Sequence, residues 1–196
     1  MDKCYDGLKV LDFSRVLAGP YLTMMLCDMG AEVIKIERPE IGSDERALEP
    51  IIHGEHGLQS GYFMMLNRGK KSVTLDLKDP KSKPIVYALV KWADVVVENF
   101  TPGVMKNLGF EYDTLKGIKS DIIMCSISTF GQNGPLAKRP GYDLIAQAMS
   151  GLMWLTGDPD RSPQRSGTSI GDVNASTHAL GAVGAALYYK SKTGKG

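Results

Sequence analysis

An aspartate placed where a helix begins can do two kinds of chemistry, and Asp172 is such a residue. It precedes Val173–Lys190, where Ala, Gly, Ser and Thr recur on every face, so the segment reads as one buried helix packed backbone-to-backbone against its neighbours. Gly171, Gly181 and Gly184 cost helix propensity, so tertiary packing must hold the helix together. As a cap, Asp172 would satisfy orphan N–H groups and gain from the helix dipole. As a carboxylate kept ionised at a buried helix start, it could act as a nucleophile. Position alone does not choose between them. The other reactive side chains give weaker signals. His53 and His56 lie in a polar stretch with no carboxylate or thiol at metal-ligand spacing, and read as solvated. Cys4, Cys27 and Cys125 are an odd, scattered set that suits a reduced cytoplasm. Asn67-Arg68-Gly69-Lys70-Lys71 is a basic turn of the kind that normally faces solvent.

The elements that must position these residues alternate along the chain. Leu8–Phe13 and Ala31–Arg38 read as buried parallel strands, joined by the turn Ser14–Gly19 and an all-apolar helix, Tyr21–Met29. Pro20 fits the first helical position and Gly30 the closing one. Pro39–Ser60 has no clear period and reads as a long loop, functional or disordered. An alternating strand over Ser72–Leu77 follows. A helix then opens at Asp79-Pro80 and runs toward Trp92, which requires Pro84 in its first turn. Asp94–Glu98 is a buried strand ended by Asn99–Gly103. Short helices are expected over Val104–Leu108 and Tyr112–Ile118, a strand over Asp121–Ile127, and an apolar helix from about Tyr142 to Leu155. This alternation predicts an α/β fold: a Rossmann-like, doubly wound, mainly parallel sheet with helices on both faces. Its ligand crevice should lie beyond the C-terminal strand ends, where Ser14–Gly19, Arg38 and Asn99–Gly103 converge.

The 196 residues, 43% hydrophobic, suit one ordinary domain with a real core. A net charge of +1 gives no basic field for nucleic acid or an anionic membrane. The N-terminal residues lack the apolar core of a signal peptide, and the Ala- and Gly-rich run Ala175–Tyr189 is too weak to span a bilayer.

Taken together, the loops resemble those of the family III CoA-transferases (CaiB/BaiF-like), which include formyl-CoA:oxalate and carnitine CoA-transferases and α-methylacyl-CoA racemase. The matching stretches are Leu11–Pro20, Gly30–Arg38, Asn67–Ser72, Leu75–Lys78, Val97–Gly103, Gly141–Leu144 and Gly171-Asp172, in the family's order across nearly the whole chain. The resemblance implies that residues 1–196 form the CoA-binding large domain and that the reaction is a ping-pong transfer of CoA between an acyl-CoA and a free carboxylic acid. The family's catalytic aspartate falls on Asp172. Coenzyme A, as acyl-CoA substrate, would meet the backbone of Val16, Leu17 and Ala18 at its pantetheine end. Arg38 would reach its phosphates. Leu75, Lys78, Asn99, Phe100 and Thr101 would frame adenosine and ribose, and Tyr142 and Asp143 would line the arm near Asp172. No metal is implied, and the partner is a second copy in an interlocked homodimer.

Three departures narrow this. Leu17 stands where formyl-CoA:oxalate enzymes have Gln. Asn107 stands where that subgroup has a phosphate-binding Arg, leaving Lys106 as the neighbouring cation. Tyr142 stands where racemases have His, and a phenol of reference pKa about 10 is a poor base at neutral pH. A racemase is the alternative within the family. A dinucleotide oxidoreductase lacks G-x-G-x-x-G after the first strand, and a non-catalytic CoA-binding module is the third reading. Family members run to about twice this length with a second, smaller domain, so the chain is expected to be a fragment or one half of a split protein, inactive alone and prone to associate through Asp172–Lys190.

Overall fold

The structure, a computed structural model, describes residues 3–54 and 57–196; His56 lies outside them. The chain begins with strand β1 (Lys9–Asp12), helix α1 (Ala18–Asp28) and strand β2 (Glu32–Glu37). A 3-10 turn (Asp44–Ala47), a hairpin of β3 (Ile51–Gly54) and β4 (Gly57–Ser60), and helix α2 (Gly61–Asn67) lead to β5 (Lys71–Thr74). Helix α3 (Ser82–Trp92), β6 (Val95–Glu98), α4 (Val104–Leu108), α5 (Tyr112–Ile118) and β7 (Ile123–Ser126) follow. The chain closes with α6 (Asp143–Met149), α7 (Leu152–Leu155) and α8 (Ile170–Thr193).

Five strands form one parallel sheet in the order β5-β2-β1-β6-β7. The chain winds outward from β1 through β2 to β5, then returns to β6 on the other side of β1. That reversal opens a crevice between the C-terminal ends of β1 and β6. The strands read as apolar runs because both faces are covered. Val10, Val95 and Val97 turn toward Leu22 and Leu26 of α1 and Val183 of α8. Leu11 and Val96 turn the other way, toward Val86 and Val90 of α3, Met105 of α4 and Leu115 of α5. Val95, Val96 and Val97 have no exposed surface, and burying each stabilises the fold by about 1.5–3 kcal/mol. The expected doubly wound α/β sheet is what forms.

Several expectations need correction. The segment 39–60 is not a bare loop, because it holds the 3-10 turn and the antiparallel β3–β4 hairpin. Helix α1 starts at Ala18, so Pro20 is its third residue; its missing N–H costs nothing there, since first-turn donors have no intrahelical acceptor. The helix expected over Tyr142–Leu155 is two helices, broken where Gly151 takes a left-handed φ of +82°. Helix α8 starts two residues before Asp172 and is not buried on every face. Ser176 and Val183 are buried, whereas Tyr188 and Tyr189 are 67% and 54% exposed.

Two close approaches bring the crevice together. A Cβ on Gly19 would overlap the side chain of Ser14, so only glycine lets α1 begin against the β1–α1 loop. A Cβ on Gly171 would sit 3.0 Å from Asp143 Oδ1 and 3.3 Å from Ala146 Cβ, which fixes how near α8 comes to α6. Ser176 Oγ lies 2.6 Å from the carbonyl of Ala18 and 2.7 Å from that of Asp172, tying the starts of α8 and α1 together. At the other end of α8, Lys190 reaches Asp94 at 3.2 Å and Asp121 at 2.8 Å on the opposite edge of the sheet.

Candidate active site

The β1–α1 loop has no regular structure, yet its main chain is held group by group. Ser14 N–H donates to Asp12 Oδ1 at 2.8 Å, and the carbonyl of Ser14 accepts from Lys35 Nζ at 2.6 Å. Asn99 takes both groups of Arg15, accepting its N–H at 2.9 Å and donating to its carbonyl at 2.8 Å. Val16 N–H donates to Glu45 Oε2 at 3.1 Å. Five successive polar groups are thus satisfied by side chains from β1, β2, the 3-10 turn and the end of β6.

Those side chains are buried charges. Asp12 is fully buried and accepts from the hydroxyls of Ser14 and Thr23 and from Lys70 Nζ at 3.2 Å. Burial alone would raise its pKa, but Lys70, then Lys35, and the two hydroxyls bring it down to about 2. Burial takes Lys70 down to about 8 against the pull of Asp12, so it remains a cation at neutral pH. The basic turn is therefore not all surface: the Lys70 side chain is 2% exposed. Lys35 and Glu45 form a second buried pair, 3.1 Å apart at Glu45 Oε1 without hydrogen-bond alignment.

Asp172 has the opposite surroundings. It is the third residue of α8, half-buried, and its carboxylate accepts no hydrogen bond from the described residues, so it caps nothing. Burial, then the charge of Asp143, raises its pKa to about 6. Asp143 is itself pinned: Oδ1 accepts Gly171 N–H at 2.7 Å and Oδ2 accepts from Gln147 at 2.6 Å. Asp172 is still mostly ionised at neutral pH, but less firmly than a bare helix-start carboxylate would be. Tyr62 of α2 feels the same charge; burial, then Asp172 and Glu45, push its phenol up to about 12, which keeps it protonated.

A cleft of about 260 Å³ joins these parts. Of the predicted site residues, Val16, Leu17, Ala18, Asn99, Phe100, Thr101, Tyr142, Asp143 and Asp172 line it. The other four do not. Arg38 pairs with Asp44, a residue of the cleft wall, and reaches the carbonyl of Gly42 at 3.3 Å. Leu75 packs against the core, Lys78 is exposed, and Lys106 pairs with Glu111 at 3.7 Å. His53 is exposed on β3, and among the described residues no three His, Cys, Asp or Glu side chains gather at metal-binding distance. No helix among them is long and apolar enough to cross a membrane.

Sequence reasoning missed Arg15, Asp44, Arg139, Tyr62 and Glu45. Arg15 and Asp44 pair at 3.3 Å on the cleft wall, and the Arg15 guanidinium stands 5.4 Å from the ring of Phe100. A charged residue in the turn that follows the first strand was the available signal for Arg15. Glu45 and Tyr62 lay inside or beside the stretch taken for loop, where no period marks them.

Comparisons with known proteins converge. The model of CoA-transferase family III matches residues 5–196. The chain is 45% identical over 194 residues to succinyl-CoA:glutarate CoA-transferase of Homo sapiens, covering 99% of this chain and 44% of that protein. It is 48% identical over 193 residues to acetyl-CoA:oxalate CoA-transferase of Acetobacter aceti, covering 98% and 49%. A crystal structure of a CAIB/BAIF family protein from Brucella suis superposes with a TM-score of 0.96 at 44% identity, over all of this chain and 52% of that one. The chain spans about half the length of the curated relatives it matches.

Proposed function

We propose that this chain, which belongs to CoA-transferase family III, transfers CoA between an acyl-CoA thioester and a free carboxylic acid, with Asp172 as the covalent nucleophile. The observation that carries the reading is the state of that carboxylate. It borders the cleft, is free of hydrogen bonds from the described residues, and has its pKa raised to about 6. Such a group is still largely charged at neutral pH and more basic than an ordinary aspartate, which favours attack.

The steps balance as follows. A carboxylate oxygen of Asp172 attacks the thioester carbonyl, the C–S bond breaks, and CoA leaves as thiolate, giving a mixed anhydride. The thiolate attacks the aspartyl carbonyl and expels the first acid, leaving an aspartyl-CoA thioester. The incoming carboxylate attacks that carbonyl and expels the thiolate again. Attack of the thiolate on the new acyl carbonyl releases the product thioester and restores Asp172. N–H groups in the first turn of α8 can stabilise the developing oxyanions. The main chain of Val16–Ala18 supports pantetheine, while Arg38, Lys78 and Lys106 stand outside the cleft, where the nucleotide phosphates would extend. Leu75 and Phe100 would border the adenosine.

Against the racemase alternative, position 142, on the cleft rim, carries a phenol, a poor base at neutral pH, where racemases of the family have an imidazole. A cytoplasmic homodimer belongs to the same proposal; Trp154 and Leu155, 78% and 82% exposed, are surface that a second chain would cover. The test is chemical trapping. Hydroxylamine added during turnover should convert the activated aspartyl carbonyl to a hydroxamate and shift the mass of the peptide containing Asp172. No modification under turnover would overturn the covalent mechanism.

A further inference from the structure

Val16 is the one β-branched residue in the β1–α1 loop, and it has a φ of +66°. A branched side chain in that left-handed region is an outlier that persists only where its surroundings impose it. The imposing contact is the hydrogen bond from its N–H to Glu45, a residue 29 positions further on. Glu45 is 0% exposed, and its partner Lys35 is 1% exposed. Apolar side chains of similar volume would fill that space at less cost than a buried ion pair. What the charges supply is geometry: an acceptor for Val16 N–H and, through Lys35, a donor for the carbonyl of Ser14.

We propose that Glu45 is a positioning residue for the ligand cleft: with Lys35 it holds Val16 left-handed, and so sets how the main chain of Val16, Leu17 and Ala18 faces the bound CoA. This rests on reading the cleft as the CoA site. Loss of the acceptor lets Val16 relax toward negative φ, which swings the next residues away from Gly19 and the start of α1.

The test is calorimetric titration of CoA into the intact wild type, Glu45→Met, Val16→Gly and the double variant, with hydrogen exchange of the Val16 amide followed in ligand-free protein. Methionine has similar volume and no oxygen to accept the Val16 N–H. Glu45→Met should weaken CoA binding about tenfold and speed exchange at Val16. Val16→Gly alone should also weaken binding, by freeing the hinge. In the Glu45→Met background the same glycine should recover affinity, because it adopts the left-handed conformation unaided. That reversal of sign is what a merely structural role cannot produce, since it would lower the melting temperature alone. Wild-type affinity in Glu45→Met, a glycine effect of the same sign in both backgrounds, or an unprotected Val16 amide in the wild type would overturn the proposal. Should Glu45→Met not fold, Lys35→Met with Glu45→Met removes both charges together and should show the same loss of affinity; unchanged affinity there overturns it too. A wild type that does not bind CoA would overturn the cleft reading and this inference with it, whereas unchanged affinity in Glu45→Met sinks this inference alone.

Discussion

The β1–α1 loop and the start of α8 border the same cleft, and each is built around an aspartate. Asp12 is fully buried and surrounded by donors: a main-chain N–H, two hydroxyls and Lys70. Asp172 is half-buried, and no described residue donates to it. The first is held to a pKa of about 2, and the second is raised to about 6. Burial pushes both upward, so the difference comes from the neighbours: the charges of Lys70 and Lys35, then two hydroxyls, around Asp12, and the like charge of Asp143 beside Asp172. A carboxylate whose lone pairs are all engaged is a strut; one whose lone pairs are free beside a like charge has what the proposed nucleophile needs. The neighbouring Asp143 shows the intermediate case, with both oxygens engaged and its charge left to act on Asp172.

Exchanging each carboxylate for its amide should separate the two roles. Asp172→Asn should lower acyl exchange by at least about a thousandfold, because an amide cannot form the anhydride. Its melting temperature should match or slightly exceed the wild type, since burial no longer opposes a charge. An active, well-folded Asn variant would erase the distinction. Asp12→Asn should do the reverse. It leaves Lys70 without its buried partner and should cost about 3–5 kcal/mol in denaturant unfolding, with activity falling only as the loop loosens. A stable Asp12→Asn protein would mean that the network is not a strut.

The smallest effect sharpens the comparison through pH. The native pKa of Asp172 is raised, so its proton is favoured by folding: stability gains slightly as pH falls from about 6 toward 4, while activity drops about tenfold per unit. The native pKa of Asp12 is lowered, so its contribution is complete above about 4 and is lost as pH falls toward 2. Activity should therefore disappear well before the fold does. Melting curves across this range, run on wild type and Asp172→Asn, check the sign, because the slight gain should be missing in the variant.

How far the sequence discloses this depends on the distance over which each feature is decided. β1 and β6 are apolar because both faces are covered, and α4 and α5 run over the residues expected of them, bounded by local turn chemistry at Gly103 and Gly109. Asp172, the Val16–Ala18 loop and Asn99, which line the cleft, stand in stretches that the family resemblance picks out by their order. Lys70 looked like solvated surface because its partner Asp12 lies 58 residues away. Glu45 was hidden in the same way within a stretch that lacks a period. The break at Gly151 was overridden by a continuous apolar pattern, and the short β3–β4 hairpin, whose Ile51, Ile52 and Leu58 are exposed, gives no core-facing alternation to read.

The side-chain supports of Ser14–Val16 carry an evolutionary consequence. A surface made of main-chain atoms depends on the side chains that hold it, and for Ser14–Val16 those side chains come from elsewhere in the chain. The hereditary burden moves to Asp12, Lys35, Glu45 and Asn99, residues set on four separate segments of the chain. Lineages that change what the cleft accepts would then rewrite its lining and leave its scaffolding alone, and a paralogue that has lost those four would have lost the pocket however well its loop still reads.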